Sequence, residues 1–285
     1  MKYKIDTHMH TTASDGTLKP KEILKEIKEK NINVLSITDH DSIENIAKMK
    51  ELVKFEDEIF IPGVEVTTTF LDTEFHFLAY GNSIKKDNKI LMDILKKNRN
   101  LRKNYDEKFI KFVSRLYDFT FEEYKNFKRN PKNGGWKAQN FLYSKNIASS
   151  LKDIFELRKK SKIRYIMKKP SIIIPKLKNA GATVVLAHPP AYFERNKLSK
   201  KILDYFKTLG LDGIECMSPY FDDPSESKYY IDYCKNNNLL ITSGSDYHGE
   251  FLLKRKLGKP NRYIDDTQLN NILNKCMSKA KFRAI

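Results

Sequence analysis

Cysteine is scarce in this chain. Cys216, Cys234 and Cys276 are the three among 285 residues, odd in number and without a C-x-x-C pair. A disulfide framework and a thiolate zinc cluster are therefore both excluded, and the three are expected to be reduced core residues. No stretch of eighteen or more apolar residues occurs, so no membrane-spanning helix is expected. The opening MKYKIDTHMH lacks the apolar run of a signal peptide. The expectation is a soluble, cytoplasmic protein with no membrane contact and no obligate protein partner. There is no internal repeat and no low-complexity tract beyond a lysine bias. What the chain does have is length enough for one large α/β domain or a domain with a sizeable insertion.

The formal net charge is +17, and its distribution says more than its size. Residues 85 to 178 hold 27 Lys and Arg against 9 Asp and Glu, a net of +18, whereas the remainder holds 26 against 27. A compositional bias of the genome would spread lysine evenly. The concentration predicts a basic segment beside a neutral body, the footprint of an anionic ligand, although a solvated helical surface produces the same count.

The first eighty residues alternate strand and helix patterns. YKIDTHMH, NVLSITDH, FIPGVEVTTTF and EFHFLAYGN read as strands. LKPKEILKEIKEKN and IENIAKMKELVKF read as helices, the first with Pro20 near its start and Ile23, Leu24 and Ile27 at helical spacing. The rhythm returns after residue 180 with ATVVLAHP, LDGIECMS and LLITSGSDYHG as strands. Such alternation predicts a mostly parallel sheet or barrel. Between the halves lie long basic helical stretches separated by the loop signal RNPKNGG. The expected organisation is a discontinuous α/β domain, 1–84 and 179–285, with a basic helical insertion at 85–178 covering the mouth of its site.

Histidine carries the chemistry. The chain has six, and each falls in or near the C-terminal part of an expected strand. His8 and His10, two apart, would face one pocket while Met9 faces away. Asp246 and His248 repeat that spacing. His40 closes NVLSITDH, His76 lies in EFHFLAYG, and His188 closes ATVVLAHP. Glu65 sits in the apolar run IPGVEVTT, where an unpaired charge would be costly, and Asp15 follows the first histidine pair. A lone strand histidine is usually a satisfied core residue; six of six with carboxylates in similar positions are not. Imidazole and carboxylate donors without thiolates suit Mn²⁺, Fe²⁺ or Zn²⁺, and nine candidates are too many for one ion, so two or three divalent ions are expected.

The segments DTHMHTTASDG, SITDHD, IPGVEVT, FHFLAYG, VVLAHP and SGSDYHG together resemble the polymerase and histidinol phosphatase (PHP) domain phosphoesterases. The resemblance implies a distorted (β/α)7 TIM-like barrel, the PHP fold, with a trinuclear metal site. It assigns His8, His10, Glu65 and Asp246 to one ion, and Asp15, His40 and His248 to a second. His76, His188 and a share of Glu65 go to a third. The implied reaction is in-line attack of a metal-activated water on a phosphoester, without a protein nucleophile. Asp6, on the face of His8 and His10, is expected to orient an imidazole. Asp41 is expected either to touch substrate or, better supported, to cap the helix that begins near IENIAKMK.

Within the family, the layout resembles bacterial enzymes that dephosphorylate nucleotide 3′,5′-bisphosphates or trim short RNA from its 5′ end, whose inserted helices carry phosphate-binding arginines. Arg99 and Arg102 are the matching pair, on one helical face. Where that subgroup has an arginine and a histidine leading a helix, this chain reads NGGWKAQNFL. Lys137 then becomes the expected cation and Trp136, the single tryptophan, the expected stacking platform. The expected substrate is a phosphorylated small molecule or nucleotide, with an exonuclease on short RNA or DNA as the alternative and a histidinol phosphatase as a second. A non-catalytic metal-binding module fits less well with nine filled ligand positions.

Overall fold

The computed structural model of the chain describes residues 1–54, 56–193 and 197–277. β1 (Lys2–Asp6) leads through the first histidine loop to α1 (Pro20–Glu29). Pro20 suits the first helical turn, where a missing N–H costs nothing. Glu22 accepts from the Lys19 N–H, and Ile23, Leu24 and Ile27 form the buried face. β2 (Val34–Leu35), α2 (Ile46–Leu52) and β3 (Ile59–Phe60) follow. β4 (Gly63–Phe70) and β5 (Thr73–Tyr80), rich in Val, Thr and Phe, pair as an antiparallel hairpin.

The central segment is helical: α3 (Lys89–Val113), α4 (Phe121–Asn126), α5 (Lys137–Ser144), α6 (Leu151–Ser161) and α7 (Pro170–Asn179). Then come β6 (Thr183–Leu186), α8 (Lys200–Thr208), β7 (Gly213–Met217), α9 (Pro224–Asn236), β8 (Leu240–Ser243), β9 (Arg262–Asp265) and α10 (Asp266–Cys276).

The fold is mixed α/β, but the described strands form two sheets instead of the closed barrel expected from the sequence. One runs β3-β2-β1-β9 and the other β4-β5-β6-β7-β8. Among the described residues isolated bridges join them, Met9 with Tyr247 and His40 with Glu65, together with a hydrogen bond from the Thr7 N–H to the Ser243 carbonyl at 3.0 Å. The reason is length and geometry. β2 and β3 have two residues each, and the chain leaves the ladder after Asp6 and Ser243, where it turns side chains inward. The seam between the sheets is where the histidines collect.

Phe75, Phe77 and Phe206 pack edge to face in the main core beside the buried Met9. A fully buried side chain of this kind contributes about 1.5–3 kcal/mol. A second apolar cluster, including Phe109, Ile110, Phe141 and Leu142, lies wholly within the helical segment. α3 joins the two: Leu91, Ile94 and Leu95 belong to the main core, and Phe109 to Val113 contribute to the other. Asn98, fully buried midway along α3, donates to the Thr67 carbonyl and to Asp41 Oδ1, which ties the helix to β4.

Candidate metal centre

β1 ends at Asp6, so His8 and His10 lie just beyond the strand, yet they keep its alternation: Met9 is in the core while the two Nε2 atoms meet at 3.2 Å. Glu65, from the middle of β4 and fully buried, is the hub. Its Oε2 lies 3.3 Å from His8 Nε2, 3.2 Å from His10 Nε2 and 3.1 Å from His40 Nδ1. Its Oε1 lies 3.1 Å from both His76 Nδ1 and His188 Nε2. Asp246 Oδ1 approaches His10 Nε2 at 3.1 Å and His8 Nε2 at 3.4 Å. Asp15 Oδ1 is 3.4 Å from His248 Nε2 and 3.5 Å from His10 Nδ1, and its Oδ2 is 3.9 Å from His40 Nε2.

Three groups of donor atoms, each within 4.8 Å, emerge among the described residues: His8, His10, Glu65 and Asp246; His10, Asp15, His40 and His248; and His40, Glu65 and His76. His188 reaches the last through its contacts with Glu65 and, at 3.4 Å, His76 Nδ1. Donors held about 2.0–2.2 Å from one tetrahedral ion lie roughly 3.3–3.6 Å from each other, close to these separations. Asp15 Oδ1, Glu65 Oε2 and His40 Nδ1 are buried without a hydrogen-bond partner among the described residues. Leaving such groups unsatisfied costs about 1–3 kcal/mol each, and divalent cations would satisfy them. The donor set therefore fits the expected ions.

The electrostatics agree. Burial alone would push His10 and His76 down, but their carboxylate neighbours, chiefly Asp246 and Glu65 for His10 and Glu65 for His76, raise them to about 9 and about 10. Burial wins at His40, which falls to about 3 despite Glu65 and Asp15. Burial opposes ionisation of Asp15, Glu65 and Asp246 as well, yet the surrounding histidines, and Arg255 at Asp246, hold all three well below the carboxylate range. The pocket is built to keep carboxylates charged.

Several residues that shape this site escape the sequence reading. Glu215 of β7, fully buried, places Oε1 3.1 Å from His8 Nδ1 and accepts from the His188 N–H through Oε2 at 2.8 Å. It leaves His8 Nε2 free to face the centre. An acid in the apolar run LDGIECMS is the same signal that singled out Glu65, so it was detectable. Glu74 does for His76 what Glu215 does for His8, at 2.8 Å from Nε2. Arg255 Nη1 and Tyr220 Oη donate to Asp246 Oδ2 at 2.5 and 2.9 Å, turning Oδ1 inward.

Two expectations about aspartates are corrected. Asp6 touches no imidazole: its carboxylate accepts from the N–H groups of Ser245 at 2.9 Å and Gly258 at 2.8 Å, and so fixes the loop that carries Asp246. Burial raises it to about 6 against those bonds. Asp41 caps no helix, because α2 begins at Ile46 behind Asn45. It is buried, and accepts from Asn98 at 2.7 Å.

Arg99, Arg102, Trp136 and Lys137 come together. With Lys103, Lys125 and others they line a groove of about 520 Å³. Arg99 Nη1 donates to the Asp41 carbonyl at 2.6 Å, Arg102 lies 3.9 Å over the Trp136 ring, and Lys137 Nζ donates to the Lys125 carbonyl at 2.9 Å. The Trp136 ring is 5.9 Å from that of His40, which joins groove to metal centre. Asp41, buried behind Asn98, is not among the groove's lining residues.

A family model for the PHP domain matches residues 6–221. The chain belongs to the PHP domain family. Among related proteins, this PHP domain chain is 27% identical over 253 residues to the 5′-3′ exoribonuclease Rnm of Escherichia coli strain K12, covering 85% of this chain and 84% of that one. It is 23% identical over 257 residues to a 3′,5′-nucleoside bisphosphate phosphatase of Chromobacterium violaceum, covering 86% and 87%. A solved structure assigned as a metal-dependent phosphoesterase, from Bifidobacterium adolescentis, superposes with a TM-score of 0.79 at 23% identity over 96% of each chain, which shows a shared fold. Among the described residues no helix of the PHP domain chain is long and apolar enough to cross a membrane.

Proposed function

We propose that this PHP-type metal-dependent phosphoesterase hydrolyses a phosphomonoester carried by a nucleotide or a similar small phosphorylated molecule, using two or three divalent ions held by the nine residues from His8 to His248. Residues 85–178 serve as the insertion that covers the site, and the cytoplasmic setting expected from the sequence belongs to the same reading. The observation that carries it is the junction of a His, Asp and Glu cluster, eight donors in three groups with His188 against Glu65, with a cation-lined groove, through Trp136 beside His40.

When bound, such ions acidify water to a nucleophile at neutral pH and neutralise charge on the phosphoryl oxygens. The chain supplies the rest. Glu65, with both oxygens engaged by histidines, ties the ligand groups together. Glu215, Glu74 and Arg255 fix which ligand atoms face inward. Arg99, Arg102 and Lys137 provide the field that attracts phosphate, and Trp136 a face for a base. The described cysteines are buried, and burial pushes the Cys216 and Cys276 thiols up, so none acts as the nucleophile.

The deciding experiment is reconstitution of chelator-stripped protein with Mn²⁺, Fe²⁺ or Zn²⁺, followed by phosphate release from an aryl phosphate, mononucleotides, 3′,5′-bisphosphates, histidinol phosphate and a 5′-phosphorylated short RNA. Turnover that is lost in His40→Ala is expected. No turnover with any metal would falsify the reading.

A second reading, a 5′-3′ exonuclease on short RNA, draws on the six cations Arg99, Arg102, Lys103, Lys125, Arg129 and Lys137 along the groove and on the exoribonuclease relative. Each phosphate neutralised on a single strand contributes about −0.7 to the slope of log affinity against log salt. A steep slope for RNA, absent for mononucleotides, favours this reading; a flat one removes it.

A further inference from the structure

Arg129 lies in the loop after α4 and lines the groove. One arm is committed. Nη1 donates to the carbonyl oxygen of Ser14 at 2.5 Å, the residue before Asp15. Nε and Nη2 are shielded from solvent and have no hydrogen-bond partner among the described residues. In a guanidinium the Nε–H and Nη2–H groups lie along one edge and point the same way, the geometry that grips two oxygens of a carboxylate or phosphate.

Among the described residues no carboxylate takes that edge. Asp39, which with Asp15 acts electrostatically on Arg129, is engaged elsewhere: Oδ1 accepts from the Thr11 N–H at 2.8 Å and from Ser14 Oγ at 2.6 Å, and Oδ2 accepts from Thr11 Oγ1 at 2.6 Å. Asp15 faces His10, His40 and His248. Of the groove's own acids, Asp106 pairs with Arg158 and Glu107 with Lys103. A half-buried cation thus keeps a two-point donor edge without an acceptor among the described residues, beside a cluster suited to phosphate chemistry.

We infer that the Nε–Nη2 edge of Arg129 grips two oxygens of the substrate's phosphoryl group, as a binding residue of the site. This rests on the phosphoesterase reading above. The bond to Ser14 fixes the guanidinium before substrate arrives, so little side-chain freedom is lost on binding. The same loop returns through Gly135, whose N–H donates to the Asp15 carbonyl at 2.8 Å. The Ser14–Asp15 segment is therefore held from the helical segment at two consecutive carbonyls, which sets the distance between Arg129 and the metal ligands.

A purely structural role makes a different prediction, because a lysine can keep the charge and one bond to Ser14 but has no two-point edge. Arg129→Lys and Arg129→Ala, each loaded with Mn²⁺, are compared with the unaltered protein for metal content, binding of inorganic phosphate by calorimetry, and KM and kcat on an aryl phosphate. The expected result is unchanged metal content in both variants. Phosphate binding is expected to weaken about tenfold in the lysine variant and about a hundredfold in the alanine variant, with a matching rise in KM.

Wild-type affinity in the lysine variant overturns the proposal, since charge or tethering then suffices. Parallel loss of metal and phosphate in both variants overturns it too, by making Arg129 a latch. So does an unaltered protein that binds no phosphate at millimolar concentration. The two readings fail separately: phosphate binding that depends on Arg129 without turnover of any ester removes the phosphoesterase reading alone, whereas turnover that is indifferent to both variants removes this one alone.

Discussion

Glu215 shows how one buried carboxylate can organise a metal site without being among its expected ligands. With one oxygen on His8 Nδ1 and the other on the His188 N–H, it sets a ligand's orientation and a ligand-bearing backbone at once. Partners of this kind are worth about 10–100-fold in metal affinity. Glu215→Gln is therefore expected to lower the affinity of chelator-stripped protein for Mn²⁺ or Zn²⁺ by about that factor, read by competition with a coloured chelator. Equal affinity would show that His8 needs no such support. Residue chemistry was legible where types were rare: each of six histidines sits in the cluster. It was illegible where the type was common, as for Arg129 among 53 Lys and Arg.

At the scale of elements, the helical segment meets the metal loops through the turn at Gly134 and Gly135. Gly134 adopts φ +64° and ψ −171°, a region open almost only to glycine. A Cβ there would lie 2.4 Å from Phe251 Cβ and 2.9 Å from the Asp15 carbonyl oxygen. Gly134→Ala thus strains the backbone and pushes on Asp15, a candidate metal ligand. It should cost about 1–3 kcal/mol, or roughly 2–10 °C in a thermal melt at this chain length, with weaker metal binding. An unchanged melt would mean that the turn relaxes freely. NGG in the sequence announced a permissive turn but not its neighbour, because Phe251 lies more than a hundred residues away.

Asn98 makes the same point within α3. Removing its side chain leaves the buried Asp41 carboxylate without its 2.7 Å donor and the Thr67 carbonyl without its 2.8 Å donor. Asn98→Ala is expected to destabilise the protein by about 1–3 kcal/mol, measured by urea unfolding. A loss well below that would show that water replaces the amide. Helical periodicity foretold the helix here, whereas a buried amide pinning it to a strand required the packing.

For the whole molecule, metal and protons compete for one cluster. Without metal, His10 and His76 titrate at about 9 and about 10, above the ordinary 6.5. The stability they contribute as cations is complete below pH 6.5 and is lost as pH rises through those values. Metal binding runs the other way, since it must displace those protons. Raising the pH from 6.5 to about 8.5 is therefore expected to widen the gap in melting temperature between loaded and stripped protein, and loading should release protons in calorimetry. A gap that narrows would contradict this. His40, at about 3, remains neutral across the window.

By itself the sequence determined the alternation of strand and helix, the basic central segment and the choice of nine candidate donor side chains. These follow from period, local charge and the types of ligand atom, which are properties of short stretches. Only the tertiary structure decided that two sheets meet at isolated bridges instead of closing, that Asp6 and Asp41 serve backbone and helix packing, and that Glu215, Arg255 and Arg129 stand beside the centre. Those outcomes depend on which distant segments share a seam. Glu65 of β4 and His188 beyond β6 are 123 positions apart in the chain and 3.1 Å apart in space.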